Sequence, residues 1–375
     1  MSSFEVEFLA DLLRIYSPTG QESELAKVLC SKMRGLGFEV HIDAVGNVVG
    51  ALKGRGPKVL LCGHMDTVPG FIPVKMEGGE IWGRGAVDAK GPLAALVLAA
   101  KKYASTSKGN LDVTVAGVVE EEGSSKGMYY LLDTMEEPEI AIFGEPSGVS
   151  CLTLGYKGGV TFEVVIETEG GHSASPWLFK NSIEEALSLW SELKRVFGAY
   201  ERKDSKFYSL TYCLTSMNGG GASALVPSRC AFKFNVRIPP TLKCQEVVRA
   251  VKEVVEGFAC NRGVRASVKW GDCVEAYVLS RTSVVARAFT RAISEELGAR
   301  PSFAYKTGTS DMNVAASKWG RSEMAAYGPG DSSLDHTPWE RVSVEEYLKS
   351  INVLSRALLW IEKLKRKAFV SQSSP

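Results

Sequence analysis

The chain lacks an excess of either charge. Its 375 residues carry Lys+Arg 44 against Asp+Glu 43, a formal net charge of +1. A nucleic-acid binder shows a clustered basic excess, so that class of partner is not expected. The one basic run, Lys363 to Lys367, reads as a solvated helix end beside a polar tail, which is expected to be disordered from Ala368. No apolar run reaches the roughly 18 residues of a membrane span. A basic leader is also lacking: Glu5, Glu7 and Asp11 stand where one would lie, and the pattern is that of an amphipathic helix. The eight cysteines (30, 62, 151, 213, 230, 244, 260 and 273) include no C-x-x-C pair. They read as mostly buried thiols of a cytoplasmic protein. Only three glutamines occur, a faint thermophilic trait. No G-x-x-x-x-G-K-[ST] pattern is present, which removes the phosphate loop. There is no internal repeat.

What the chain does have is a set of polar residues placed just after short buried runs. The stretch Gly83-Arg84-Gly85-Ala86-Val87-Asp88-Ala89-Lys90-Gly91 turns sharply on its glycines and delivers one carboxylate, Asp88. A helix over 91–104 follows, with Pro92 near its first turn. Upstream, helices are expected at 4–16 and 22–35 and strands at 38–42 and 47–52. The run from Lys58 to Cys62 is apolar after its first residue, as in a strand buried on both faces, and it ends in Gly63-His64-Met65-Asp66. Val113 to Val119 ends in Glu120-Glu121-Glu122-Gly123, a helix over 124–134 follows, and Ile140 to Phe143 ends in Gly144-Glu145-Pro146. Strand alternating with helix predicts an α/β domain with a mostly parallel central sheet, whose sites lie beyond the strand carboxyl ends.

The style changes near Gly159. Val160 to Thr168 alternates cleanly, a helix covers 182–200, and strands at about 207–216 and 230–238 flank Gly219-Gly220-Gly221. A helix over 244–258 and a strand over 265–270 complete a β-α-β-β-α-β order, that of a ferredoxin-like α+β domain. The first style then returns with a helix over 282–297, a Thr/Gly/Ser-rich loop over 306–311, a strand over 323–327 and a helix over 343–365. The length suits two domains. The expected division is a discontinuous domain, 1–158 with 273–375, and an inserted domain, 159–272.

His64, Asp66, Asp88, Glu121, Glu122, Glu145 and the distant His336 form the chemical set, taking two of only four histidines. A lone histidine is more often a satisfied core residue, and a glutamate triplet more often a solvated face. This triplet instead follows a buried run and precedes Gly123. Two imidazoles with three carboxylates suit a pair of divalent ions with one carboxylate bridging.

In order and spacing, these motifs resemble those of a dinuclear zinc-peptidase family. It includes carboxypeptidase G, aminoacylase, acetylornithine deacetylase and succinyl-diaminopimelate desuccinylase, and the resemblance covers essentially the whole chain. It implies a zinc-peptidase-like catalytic domain with an inserted dimerisation or lid domain, hydrolysis of a linear amide bond, and two divalent ions per subunit, zinc or cobalt. It implies that Asp88 bridges the metals, that His64 and Glu145 complete one site, and that Glu122 and His336 complete the other. Asp66 would hold the His64 ring. Glu121 would be the general base. The Asp88–Ala89 peptide is a candidate cis bond. His172, in Gly170-Gly171-His172-Ser173-Ala174, would reach into the partner's site of a homodimer and stabilise an oxyanion. Arg237 would hold a substrate carboxylate, and Gly308-Thr309-Ser310-Asp311 resembles a substrate-carboxylate loop. His41 matches nothing and reads as a surface strand residue.

Gly155-Tyr156-Lys157-Gly158-Gly159 and the stretch from Tyr305 to Asn313 resemble one branch of that family. Its members release lysine or ornithine from the terminal glutamate of an acidic amino-group carrier protein in lysine and arginine biosynthesis. Lys157, Lys180 and Lys306 would then form a basic docking rim. The alternatives are a deacylase of acetylornithine or succinyl-diaminopimelate, or a non-catalytic metal-binding relative; the latter should have lost ligands or base, and this chain retains both.

Overall fold

The computed structural model describes residues 3–107 and 110–372. The chain divides into two compact units, one of Met1–Gly155, Val278–Tyr305 and Ser310–Pro375, the other of Tyr156–Tyr277 and Lys306–Thr309. The short return of Lys306–Thr309 to the second unit was not expected from the sequence.

In the first unit, α1 (Phe4–Arg14) and α2 (Ser23–Gly35) precede β1 (Glu39–Ile42), β2 (Val48–Leu52) and β3 (Lys58–His64). The short strands β4 (Lys75–Glu77) and β5 (Glu80–Trp82) follow, then α3 (Lys90–Thr106), β6 (Asp112–Val118), α4 (Lys126–Thr134), β7 (Ile140–Phe143) and β8 (Cys151–Tyr156). The second unit holds β9 (Gly158–Glu167), β10 (Gly171–His172), α5 (Ser182–Gly198), β11 (Thr211–Gly219), β12 (Leu225–Val226), β13 (Arg229–Ile238), α6 (Cys244–Arg262) and β14 (Arg265–Trp270). After β15 (Tyr277–Val278), the chain continues through α7 (Val284–Leu297), β16 (Ser302–Lys306), α8 (Asp311–Ala316), β17 (Glu323–Ala326), β18 (Arg341–Ser343) and α9 (Val344–Gln372).

The large sheet has the order β1-β2-β6-β3-β7-β17-β8-β15, with β16 also on β8. Its centre, β6-β3-β7-β17, is parallel. β3 is buried from Val59 to His64 and β7 throughout, which is why both read as continuous apolar runs. α3 is buried on nearly every side, from Lys90 to Ala100 and at Tyr103. It packs on β3, β6, α1 and α9. Gly91 permits the close approach at its start, because a Cβ there would lie 2.2 Å from the Ala86 carbonyl oxygen. The sheet β18-β5-β4 stands apart.

The second unit has an antiparallel sheet of order β11-β13-β9-β14. Alternation on β9 puts Val160, Phe162, Val164 and Ile166 in a core with Trp190, Leu193 and Phe197 of α5 and Val247 and Val251 of α6. Phe162 and Phe234 stack at 5.0 Å. Among the described residues no helix is long and apolar enough to cross a membrane.

Several sequence expectations need correction. β8, β16 and α8 were not anticipated, and neither was the small sheet. The segment from Ala368, expected to be disordered, continues α9 to Gln372. Cysteine was also misread in part. Cys244 and Cys273 form a disulfide with Cα atoms 5.9 Å apart, and of the free thiols Cys213 and Cys260 are exposed while Cys30, Cys62 and Cys230 are buried. The bridge ties the start of α6 to the segment after β14, a proximity that a separation of 29 residues does not reveal. Lys157 is not part of a rim. It is fully buried, and its Nζ donates to the Ser209 carbonyl at 2.6 Å and to Thr211 Oγ1 at 2.7 Å. Burial and the Arg237 charge lower its pKa to about 8.

Closing a loop of this length by a disulfide stabilises by about 3 kcal/mol. Replacing both Cys244 and Cys273 by Ser should therefore lower the thermal midpoint measured without reductant, and reductant should do the same to the unmodified protein. Equal midpoints in all three samples would mean that the bridge does not form in solution.

Candidate metal centre

Three parallel strands and two loops assemble the centre. β3 ends in His64 and is followed by Asp66; the chain after β6 carries Glu121 and Glu122; the chain after β7 carries Glu145. The β5–α3 loop supplies Asp88, and the β17–β18 loop supplies His336. Gly85 holds φ of +89°, which opens the turn that presents Asp88. The Asp88–Ala89 peptide is cis, as the family resemblance implies. Glu120 and His336 hold positive φ without being glycine, at 59° and 60°, the kind of backbone strain found where loops are forced to aim side chains.

Asp88 lies between the two histidines. Its Oδ1 is 3.1 Å from His64 Nε2 and its Oδ2 is 3.0 Å from His336 Nε2. His336 Nε2 is also 2.7 Å from Glu122 Oε1. One ligand atom from each of Asp88, Glu122 and His336 lies within 4.8 Å of the others. His64 is buried, and its Nδ1 is 2.9 Å from the Asp66 main-chain oxygen but 3.5 Å from the nearer carboxylate oxygen. The ring is thus held mainly by a carbonyl. The Asp66 carboxylate accepts from the main-chain N–H groups of Glu121 and Glu122, each at 3.0 Å, and from Thr19 Oγ1 at 2.9 Å. It therefore fixes the loop that carries Glu121 and Glu122.

The charges are crowded. Burial drives the Glu121 carboxyl well above the usual range, and Glu145, Asp311 and Asp88 push it further while His64 opposes them. Burial and Asp88 also raise Glu122. Burial would raise Asp88 too, but hydrogen bonds from His336 and His64 hold it below the usual range. The Asp88 hydrogen bond raises His336 to about 9. Gathered carboxylates that raise one another's pKa values are a setting that cations relieve, and imidazole with carboxylate is a donor set suited to divalent ions such as zinc. The residues present fit such ions.

The remaining expected residues are placed as follows. Ser310 is buried and caps α8, accepting from the Met312 N–H, with Asn313 returning the bond. His172, Arg237, Gly308 and Thr309 belong to the second unit. His172 is exposed on β10, and its Nδ1 accepts from the Ala174 N–H. Arg237, on β13, donates from Nη1 to Thr309 Oγ1 at 2.9 Å. His41 is exposed on β1. Two further residues around the centre, Glu340 and Arg84, were given no role from the sequence, and Asp311 was expected in the substrate loop. Glu340 binds the Asp88 loop through the Asp88 N–H and through Arg84 of the same loop. Asp311 is buried, and burial pushes its carboxyl up to about 7. Arg84 and Asp311 lie inside motifs already noted, but Glu340 bonds main-chain groups, which leave no trace in sequence.

Residues 60–360 match the model of peptidase family M20/M25/M40. A Pyrococcus furiosus protein named "Putative [LysW]-lysine/[LysW]-ornithine hydrolase" is 39% identical over 363 residues, covering 95% of this chain and 96% of its own. A [LysW]-lysine hydrolase of Deinococcus radiodurans is 35% identical over 360 residues, covering 94% and 95%. In fold, the chain matches the metallo-carboxypeptidase Sso-CP2 of Sulfolobus solfataricus, described as an M20 family member, with a TM-score of 0.81 at 20% identity over 96% of this chain and 100% of that one. The chain belongs to peptidase family M20/M25/M40 and is a hydrolase of amide bonds.

Proposed function

We propose that the protein releases lysine, ornithine or both from the C-terminal glutamate of an acidic amino-group carrier protein, in lysine and arginine biosynthesis in the cytoplasm. The observation that supports a working centre best is Asp88 held between His64 and His336, one oxygen to each. The names of the full-length relatives support the substrate. A deacylase of acetylornithine or succinyl-diaminopimelate would use the same centre.

In this reading Asp88 would be shared by two divalent ions, zinc or cobalt, with the other ligands as follows. His64 and Glu145 complete one site, and Glu122 and His336 the other. When bound there, such ions would supply polarisation of the scissile carbonyl and a more acidic attacking water. Glu121 removes a proton from that water and returns it to the departing α-amine. Asp66 keeps Glu121 in place through the main chain. Arg237 with Gly308, Thr309 and Ser310 holds the substrate carboxylate. His172, contributed by the partner of a homodimer formed through the inserted domain, stabilises the oxyanion.

Glu121→Gln should retain both metals and lose turnover by about 10²–10⁴-fold. Near-normal turnover would remove Glu121 from the base role. Carrier protein loaded with lysine or ornithine should release free amino acid, while acetylornithine and succinyl-diaminopimelate should be poor substrates. Release from the acylated small molecules alone would move the protein to the deacylase branch. His172→Ala and Glu121→Gln, each inactive alone, should regain about one quarter of full activity after subunit exchange, because half the dimers then hold one complete site. No recovery on verified mixed dimers would exclude the contribution in trans.

A further inference from the structure

Glu340 is completely buried, four residues beyond His336. One of its carboxylate oxygens, Oε1, accepts three main-chain N–H groups of the Asp88 loop: Gly85 at 3.0 Å, Val87 at 2.9 Å and Asp88 itself at 2.9 Å. The other, Oε2, accepts from Arg84 Nη1 at 2.8 Å. Arg84 is buried as well, and its Nε donates to the Gly70 carbonyl at 2.9 Å. The main chain doubles this link. The Gly83 N–H donates to the Glu340 carbonyl at 3.3 Å, and immediately beyond, β18 pairs with β5 from Arg341 opposite Trp82 to Ser343 opposite Glu80.

The loop that carries Asp88 and the loop that carries His336 are therefore bound to each other by one side chain. Three N–H groups converging on one oxygen form an anion nest, and here the anion belongs to the protein. Since Asp88's own N–H is one of the three, the carboxylate sets the backbone from which Asp88 faces His64 on one side and His336 on the other.

We propose that Glu340 is the positioning residue of the metal centre, and that it fixes Asp88 against His336 by binding the Asp88 loop as an internal anion. This rests on the reading of the centre as a metal site. Glutamine has nearly the same shape but cannot replace the carboxylate. Its NH₂ would face either Arg84 or the converging N–H groups, and both are donors.

The test compares metal binding by metal-free protein with its stability. Zinc affinity is measured by competition with a chromophoric chelator, the coordination of bound cobalt by its visible absorption, and the metal-free thermal midpoint by calorimetry. Glu340→Gln should bind zinc about 10–100-fold more weakly and show an altered cobalt spectrum even in samples that are fully folded. Arg84→Lys, which keeps the charge but loses the fork, should weaken zinc several-fold with the metal-free midpoint little changed. Wild-type affinity and spectrum in folded Glu340→Gln would overturn the proposal. Should Glu340→Gln fail to fold, Arg84→Lys decides: weakened zinc at an unchanged midpoint supports the proposal, and unchanged zinc overturns it. Failure of the unmodified protein to bind zinc or cobalt would instead overturn the metal-site reading beneath it.

Discussion

Like charges held close together are the constraint on which the first unit depends. Asp88, Glu121, Glu122 and Glu145 gather at the ends of a parallel sheet with His64 and His336 to offset them, and burial with its neighbours' charges raises the Glu121 pKa. Such a cluster cannot hold itself in place. It is held by main-chain bonds from outside: Asp66 binds the Glu121 and Glu122 amides, Glu340 binds the Asp88 loop, and Glu22 binds the Glu120 amide. Asp88, Glu121 and Glu122 are thus backed by carboxylates that face the backbone. The rigid support beneath is the pair β3 and β7 with α3 packed behind β3, all of them nearly free of water.

The parts of the fold that were legible in the sequence are those where one physical rule dominates. β3, β6 and β7 read as short apolar runs because both faces are covered, and Ile140–Phe143 was placed to the residue. β9 and β13 read by alternation because one face meets the core and the other does not. β8 and β16 escaped because glycine, threonine and partly exposed positions interrupt their patterns. α8 is a single capped turn and a half, too short for a period to show.

The candidate centre was legible because its histidines and carboxylates follow recognisable runs. Its supports were not. Glu340 and Arg84 look like any surface ion pair in sequence, yet both are buried. Lys157 looks like a docking cation and proves to be an interior donor to carbonyls, and no local pattern distinguishes those two fates. The Cys244–Cys273 bridge depends on how β14 returns beside the start of α6, which is tertiary information.

Asp88 and His336 are separated by 248 positions, with the entire second unit encoded between them. At a synthesis rate of about 5–20 residues per second, a nascent chain waits tens of seconds between making the first of these and the second. Once Glu145 has been made, His64, Asp88, Glu121, Glu122 and Glu145 all exist, but the loop that brings both His336 and Glu340 is still to come. The centre is therefore completed late, after the intervening unit has had time to fold, and the growing chain passes through a stage in which its acidic cluster has neither its second imidazole nor its internal clamp.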